Sequence, residues 1–418
     1  MRPTLAQVIA QHAPAYRAAY AARMPEFHLR ALERLENCGT EDAGRVFYQC
    51  PQCEDWQMVP ASCGHRACNA CGHHKTLAWQ ARQEARLLPV NYALVTFTIP
   101  AEFRSLFRAQ QRLCYDLLFQ ESYGTLRDIA ADPEHLGGDV GLTGVLHTWT
   151  RDLRYHPHIH YIMPAGAWKD GKWVHPKALE NGSNYFLNVH VLATRMRNRM
   201  MKVIQREHPE LKDSLGAKVW RKRWNVQIQP VGKGDTALGY LARYVQKSAI
   251  DASRIIHTDP QGVTIGWTDR KSGVKQTKKL AGNDFLHRFL QHVLPTGLTR
   301  VRHFGFLSAA AKRKFQAIRT YLQGDPCASA RSDAASPPPP DPSDAAQPSD
   351  PTQPLAADAP PRKHCCPRCN VVMKFGEFWP ANKAGRGPPG YDPKPGEAVQ
   401  RLLGLKFEEP ATIGKGRE

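Results

Sequence analysis

Residues 154–162 read RYHPHIHYI and set His156, His158 and His160 at alternating positions. In an extended strand, side chains two apart share a face. His158 and His160 therefore point the same way, with Ile159 behind them. Neutral imidazole is the commonest protein ligand for divalent ions, so this pair is a ready part of a metal site. Such pairs also occur at strand edges with no metal, and the rest of the chain has to decide.

A second chemistry lies upstream. CPQC at 50–53 and CNAC at 68–71 are Cys-x-x-Cys knuckles separated by fourteen residues. Each knuckle turns two thiolates toward one ion, so Cys50, Cys53, Cys68 and Cys71 are expected to complete a tetrahedral Zn2+ site. Four thiolates leave no open coordination position, which makes the site structural. Cys63, Cys38 and His65 are spare ligands that either replace a knuckle residue or serve a second site. Arg66 beside them is expected on a DNA-contacting surface. KHCCPRC at 363–369 brings Cys366 and Cys369 as a further knuckle, with Cys365 alongside. That is half a site, completed only by ligands from elsewhere in the chain or from a second chain.

LGYLARYVQK at 238–247 places Tyr240 and Tyr244 four apart. On a helix they stack on one face, with Cβ atoms ~6 Å apart. A phenol of pKa ~10 is a weak nucleophile at neutral pH, and such a pair by itself is usually core packing. Arg243 and Lys247 beside the tyrosines, together with the histidine pair, supply the parts for covalent cleavage of a DNA strand. A metal would offset charge on the scissile phosphate, and a tyrosyl ester would keep the bond energy for rejoining.

Composition agrees with a polyanionic partner. The 418 residues carry 57 Lys plus Arg against 38 Asp plus Glu, a formal charge of +19, which favours nucleic acid. No apolar run approaches the ~18–20 residues of a membrane-spanning helix, so a soluble, cytoplasmic protein is expected, with no membrane partner. The clustering of most of the eleven cysteines fits metal binding in a reducing compartment.

The elements that must position these groups follow from periodicity. Residues 1–36 predict one or two helices, and 75–88 another helical stretch. VNYALVTFTIP is a buried strand ended by proline. A long amphipathic helix is expected over 102–131. GLTGVLHTWTRD and HIHYIMPAG form a hairpin, with His156 in its turn. Helices are predicted around 184–207, over 235–250 with Asp235 as N-cap, and from 284 to Pro295, with a strand at VTIGWTDR. Residues 325–361 shift to Pro, Ala, Ser and Asp and predict a disordered linker. From these patterns alone the class is mixed α+β.

The combination is more specific than its parts. HIH at 158–160 resembles the signature of the HUH endonuclease superfamily. LHTW at 146–149, HPHIH, GYLARYVQKSAI and FLHRFLQHVLPTGLTRVRHFGF at 285–306 follow in order. That series resembles the two-tyrosine rolling-circle transposases of the insertion-sequence-ninety-one family. Residues 38–71, with their SCGHRAC spacing, are similar to that family's N-terminal zinc-binding domain, and the resemblance spans residues 20–310.

It implies an α+β fold with an HUH endonuclease-like central antiparallel sheet flanked by helices and the histidines on a middle strand. A small helical zinc-binding domain precedes the sheet. The expected division is 1–86 for the helical zinc-binding region, 87–310 for the catalytic domain, 311–362 for a helix end and linker, and 363–418 for a cysteine-containing tail. His158 and His160 become ligands of Mg2+ or Mn2+, and Tyr240 and Tyr244 the nucleophiles. His147 is the first choice for third ligand, followed by Gln246 and Asp152. Arg243, Lys247 and Arg66 are the expected DNA contacts. Lys247 stands where many relatives carry arginine, which keeps the charge and loses bidentate phosphate contact.

The implied activity is a bacterial transposase, nucleoid-associated when bound to DNA, that nicks and rejoins single-stranded element ends and target. Two other readings compete: a plasmid relaxase or replication initiator, and a non-catalytic zinc-dependent DNA-binding regulator.

Overall fold

The computed structural model describes residues 2–71, 82–84, 86–176, 187–212, 215–233, 236, 239, 248–269, 272–324 and 364–382. The expected tyrosine helix, with Asp235, Tyr240, Arg243, Tyr244, Gln246 and Lys247, lies outside these residues. So do the expected linker at 325–361 and most of the helical stretch at 75–88.

Five antiparallel strands form the central sheet: β3 (Asn91–Thr98), β4 (Gly141–Trp149), β5 (Tyr155–Pro164), β8 (Asn225–Lys233) and β12 (Val301–Gly305). Their spatial order is β12-β4-β5-β3-β8, so the histidine strand β5 is central. Alternation along the strands gives the sheet two apolar faces. Val95, Phe97, Leu146, Ile159, Tyr161 and Met163 face one core. That core is filled by α4 (Gln111–Ala130) and α5 (Val189–Glu207). Asn188 caps α5, its side chain accepting from the His190 and Val191 amides. Gly144 of β4 leaves room for the rings of Tyr161 and Phe119, which a Cβ there would meet at 2.5 and 3.0 Å.

The opposite face carries a second apolar cluster toward one end. Tyr92, Leu94, Val145 and Ile162 pack there under Ile318 and Leu322 of α8 (Lys312–Gly324) and Trp173 of β7 (Lys172–Val174), which pairs with β6 (Ala167–Lys169). His158 and His160 lie on this same face, beyond that cluster.

The helix expected over 102–131 is interrupted. A single turn at Ala101–Phe103 leads into α3 (Arg104–Ala109), and Gln110 then leaves helical geometry at φ −123°, ψ 51° before α4. The break directs Phe103 and Phe107 from one segment, and Tyr115 and Phe119 from the next, into one buried core.

A second core joins distant parts of the sequence. α1 (Leu5–Tyr20) opens on a capping box between Thr4 and Gln7, and α2 (Glu26–Glu36) follows. Their buried residues share a cluster with Phe285, Leu286 and Phe289 of α7 (Gly282–Leu290). Residues of the sheet β9 (Ile255–Asp259), β10 (Gly262–Thr268) and β11 (Lys275–Leu280) belong to the same cluster. The cluster thus crosses the division expected between residues 86 and 87. A third sheet pairs β1 (Arg45–Gln49) with β2 (Trp56–Pro60) and with β13 (Lys374–Trp379) from the tail.

Candidate metal centre and cysteine sites

The register of β4 and β5 makes His147 the direct cross-strand partner of His158, and His160 follows two residues on. Cross-strand partners project to the same side of a sheet, so the pairing itself gathers three imidazoles. One ring nitrogen from each of His147, His158 and His160 lies within 4.8 Å of the others. Ring centroids are 4.7 Å apart for His158 and His160, 4.9 Å for His147 and His160, and 5.4 Å for His147 and His158.

Neighbouring groups orient these rings. His158 Nδ1 is 2.6 Å from the His156 carbonyl, which can only accept, so Nδ1 carries the proton and Nε2 keeps its lone pair. His160 Nδ1 lies 2.9 Å from Thr96 Oγ1, its partner residue on β3. Both contacts are of the outer-partner kind that orients a ligand ring, and the carbonyl also fixes the tautomer of His158. His147 is buried and stacks on Trp149, while Arg300 places its guanidinium 4.8 Å from the Trp149 ring centroid. Burial, reinforced by the charge of Arg66, holds Arg300 down to about 9. Three imidazoles with at least two oriented nitrogens fit a divalent cation.

His156, with its ring centroid 5.3 Å from that of His158, is not one of the three clustered ligand donors. It lies within β5 rather than in the hairpin turn, because the strand begins at Tyr155. Arg104 donates to its Nδ1 at 3.0 Å. Burial and the charges of Arg104 and Arg154 hold its pKa down to about 4. Asp152, an alternative third ligand, is engaged in the turn by Thr150 at 2.6 Å and Arg154 at 2.7 Å. Of the expected third ligands, the structure brings His147 to the pair and not Asp152.

Beside the triad, the same face continues as a polar strip. Thr98 pairs with His158 and Asn225, and Thr96 with His160 and Gln227. Gln229 follows on β8. The strip leads from the histidines toward the exposed Arg221 and Lys222.

The cysteines are distributed differently from expectation. Cys50 and Cys53 do not share a site with Cys68 and Cys71. One tetrad is Cys38, Cys63, Cys68 and Cys71, and the other is Cys50, Cys53, Cys366 and Cys369. The reason is topological. Cys50 and Cys53 sit at the end of the β1–β2 hairpin, facing the tail knuckle, whereas Cys38 at the end of α2 meets the 63–71 loop. In the first tetrad Cys38 Sγ is 3.6 Å from Cys68 and 3.5 Å from Cys71, and Cys63 is 3.6 Å from Cys71. Hydrogen bonding from Cys63 and Cys68 holds Cys38 down to about 7, and the same contacts raise Cys63 and Cys68. His65 belongs to neither tetrad, and its Nδ1 accepts from the Ala67 amide.

Arg66, expected on a DNA-facing surface, directs its guanidinium at the backbone carbonyls of Leu294, Pro295 and Leu298. Those carbonyls follow the end of α7 and need donors, so the charge braces the loop after α7. Thr96 was not marked by any sequence motif, and cross-strand register brings it to His160. Trp149 and Arg300 lie within the LHTW and 285–306 stretches, and the fold gives them their places beside His147.

Comparison with known proteins follows this geometry. A family model described as "Putative transposase" matches residues 141–314, and the "Transposase zinc-binding domain" model matches residues 8–99. "Putative transposase y4qJ" of Sinorhizobium fredii is 31% identical over 326 residues, covering 73% of this chain and 80% of the relative. The chain belongs to the IS91 family of transposases. "Transposase for insertion sequence element IS801" of Pseudomonas savastanoi pv. phaseolicola is 28% identical over 342 residues, 74% of this transposase and 81% of that protein. No solved structure matches. The family match makes this transposase an enzyme that acts on DNA, with an N-terminal zinc-binding domain. Both histidine strands lie inside the catalytic match, and the whole first tetrad lies inside the zinc-binding match. Among the described residues no helix is long and apolar enough to cross a membrane.

Proposed function

We propose that this transposase nicks and rejoins single-stranded DNA through a covalent 5′-phosphotyrosine intermediate, mobilising an insertion sequence by rolling-circle-type transposition. The carrying observation is the triad of His147, His158 and His160 gathered by the two central strands of the sheet. The insertion-sequence assignment leans on the relative named for IS801. Those three imidazoles would hold Mg2+ or Mn2+, which supplies charge to the scissile phosphate when bound. Zn2+ would occupy Cys38, Cys63, Cys68 and Cys71 as a structural ion.

The residues of the chain do the rest. The Thr96–Gln227–Gln229 strip offers hydroxyl and amide groups along which a DNA backbone lies beside the triad. Tyr240 or Tyr244 attacks phosphorus in line. A Tyr–O–P bond forms to the 5′ phosphate, the P–O3′ bond breaks, and the departing 3′ oxygen takes up a proton. Attack by a 3′-hydroxyl on that ester reverses the process and joins a new strand. Two tyrosines allow one to hold the donor end while the other acts on the next strand, and Arg243 and Lys247 are placed by sequence to meet phosphate.

Chain connectivity supports this reading. The chain leaves β8 at Lys233, opposite Asn91. Further along, Ile250 belongs to the same buried cluster as Leu153 in the turn between the histidine strands.

The test uses labelled single-stranded element ends with purified protein and Mg2+. A covalent 5′ adduct is expected, mapping by peptide mass to residues 236–248 and not forming when a chelator is present from the start. An undiminished adduct in the Tyr240→Phe, Tyr244→Phe double variant overturns the proposal.

A further inference from the structure

The tail knuckle CPRC at 366–369 repeats CPQC at 50–53, and the repetition extends to the backbone. The Glu54 amide donates to the Cys50 carbonyl at 3.1 Å, and the Asn370 amide to the Cys366 carbonyl at 2.9 Å. The Cys50 amide donates to the Asp55 carbonyl at 2.8 Å, and the Cys366 amide to the Val371 carbonyl, also at 2.8 Å. Glu54 and Asn370, each following the second cysteine, take the left-handed conformation at φ 58° and 55°. Two equivalent turns thus present their sulfurs to one point.

The sulfurs meet crosswise, the first of one knuckle against the second of the other. Cys50 Sγ is 3.3 Å from Cys369 Sγ, and Cys53 Sγ is 3.4 Å from Cys366 Sγ. Cys53 and Cys369 are 3.7 Å apart. A tetrahedron of sulfurs at the usual zinc distance has edges of about 3.8 Å, and these separations are close to it. Strand pairing completes the clasp. β13 runs antiparallel to β1, and Trp379 packs against Phe47 and Met58. Gly44 has φ +99°, and a Cβ there would meet the Trp379 carbonyl at 2.7 Å, so glycine admits the tail strand.

We infer that Cys50, Cys53, Cys366 and Cys369 bind a second structural Zn2+ within one chain, and that this ion fastens residues 364–382 onto the β1–β2 hairpin. The arrangement is a zinc ribbon assembled from two halves. Its sequence separation reaches 319 residues between Cys50 and Cys369, so the ion closes a very long loop. Binding free energy at such a site is folding free energy for the segment it holds. The tail then belongs structurally to the N-terminal region although it ends the described chain. This inference does not depend on the DNA chemistry proposed above.

The full-length protein, purified with a thiol reductant, provides the test. Zinc analysis is expected to give two equivalents per monomer, and one for the Cys366→Ser, Cys369→Ser variant. Cobalt-substituted protein should lose about half its thiolate-to-metal absorption in the same variant, whichever way the tail then folds. In a second experiment a specific protease site is inserted within 325–361 and cut. The fragment carrying 364–382 should co-elute with the body of the protein while zinc is bound, and separate when a chelator removes it. Two equivalents retained in the double variant, or separation of the fragment with zinc still bound, overturns the inference. Retention broken only by omitting chelator and adding stronger reductant would mean a disulfide, and would overturn it too. A zinc-dependent dimer that exchanges tails overturns the single-chain connection.

Discussion

The imidazole of His147 lies stacked on the indole of Trp149, with ring centroids 4.7 Å apart and planes 20° from parallel. His147 is the buried member of the triad, and this stack, backed by Arg300, sets its ring plane. Trp149→Ala should therefore lower Mn2+ affinity by roughly 10-fold, the lower end of what outer-partner losses cost. Trp149→Phe should recover most of it. Calorimetric titration with Mn2+ checks both, and wild-type affinity in Trp149→Ala would show that the stack does not position the ligand.

Thr96 and His156 separate two kinds of neighbour. Thr96→Val removes the hydroxyl partner of His160 Nδ1 while keeping shape, and should weaken Mn2+ binding by roughly 10-fold. His156→Ala removes a ring that faces Arg104 but leaves the carbonyl that holds His158. Its Mn2+ affinity should stay within about threefold of wild type, far less than an outer partner costs.

The first tetrad predicts which spare ligand matters. Cys38→Ser or Cys63→Ser should lose one zinc equivalent and lower the unfolding temperature, because the cluster borders the core shared by α1, α2 and α7. His65→Ala should retain full zinc content. Metal analysis with thermal unfolding of the three variants decides the point, and zinc loss in His65→Ala would reassign the site.

Acid sensitivity follows from buried imidazoles away from the triad. Burial holds His28, His292 and His303 down to about 4. Below the ordinary value of ~6.5 the unfolded chain binds protons that the folded chain refuses. Their contribution to stability is thus complete above pH ~6.5, declines as pH falls toward 4, and levels off below that. Urea midpoints measured from pH 7 to pH 4 should fall, with protons taken up on unfolding by these three rings and by His156, which burial holds at about 4 as well. His292→Leu should reduce that uptake by about one proton. A flat profile over this range would refute the account.

Local pattern settled much of this protein before any contact was known. Alternation in HIHYI put His158 and His160 on one face and Ile159 on the other, since the strand repeat is two. The strands at 91–98 and 141–149, and the helices of residues 5–36, followed from residue type and spacing in the same way. The order of short motifs carried the family.

Partner choice was another matter. Four cysteines at knuckle spacing satisfy zinc equally well in several combinations, and spacing carries no information about which knuckles meet. β13 pairing with β1 brought Cys366 and Cys369 to Cys50 and Cys53, and left Cys38 and Cys63 to Cys68 and Cys71. Register likewise selected His147 over Asp152 and brought Thr96 to His160. Arg66 was directed to the carbonyls after α7 by packing rather than by its basic neighbours. Side-chain chemistry and repeat are written locally along the chain. Which distant segments come together depends on cores and strand pairings formed across hundreds of residues, and only the folded chain fixes them.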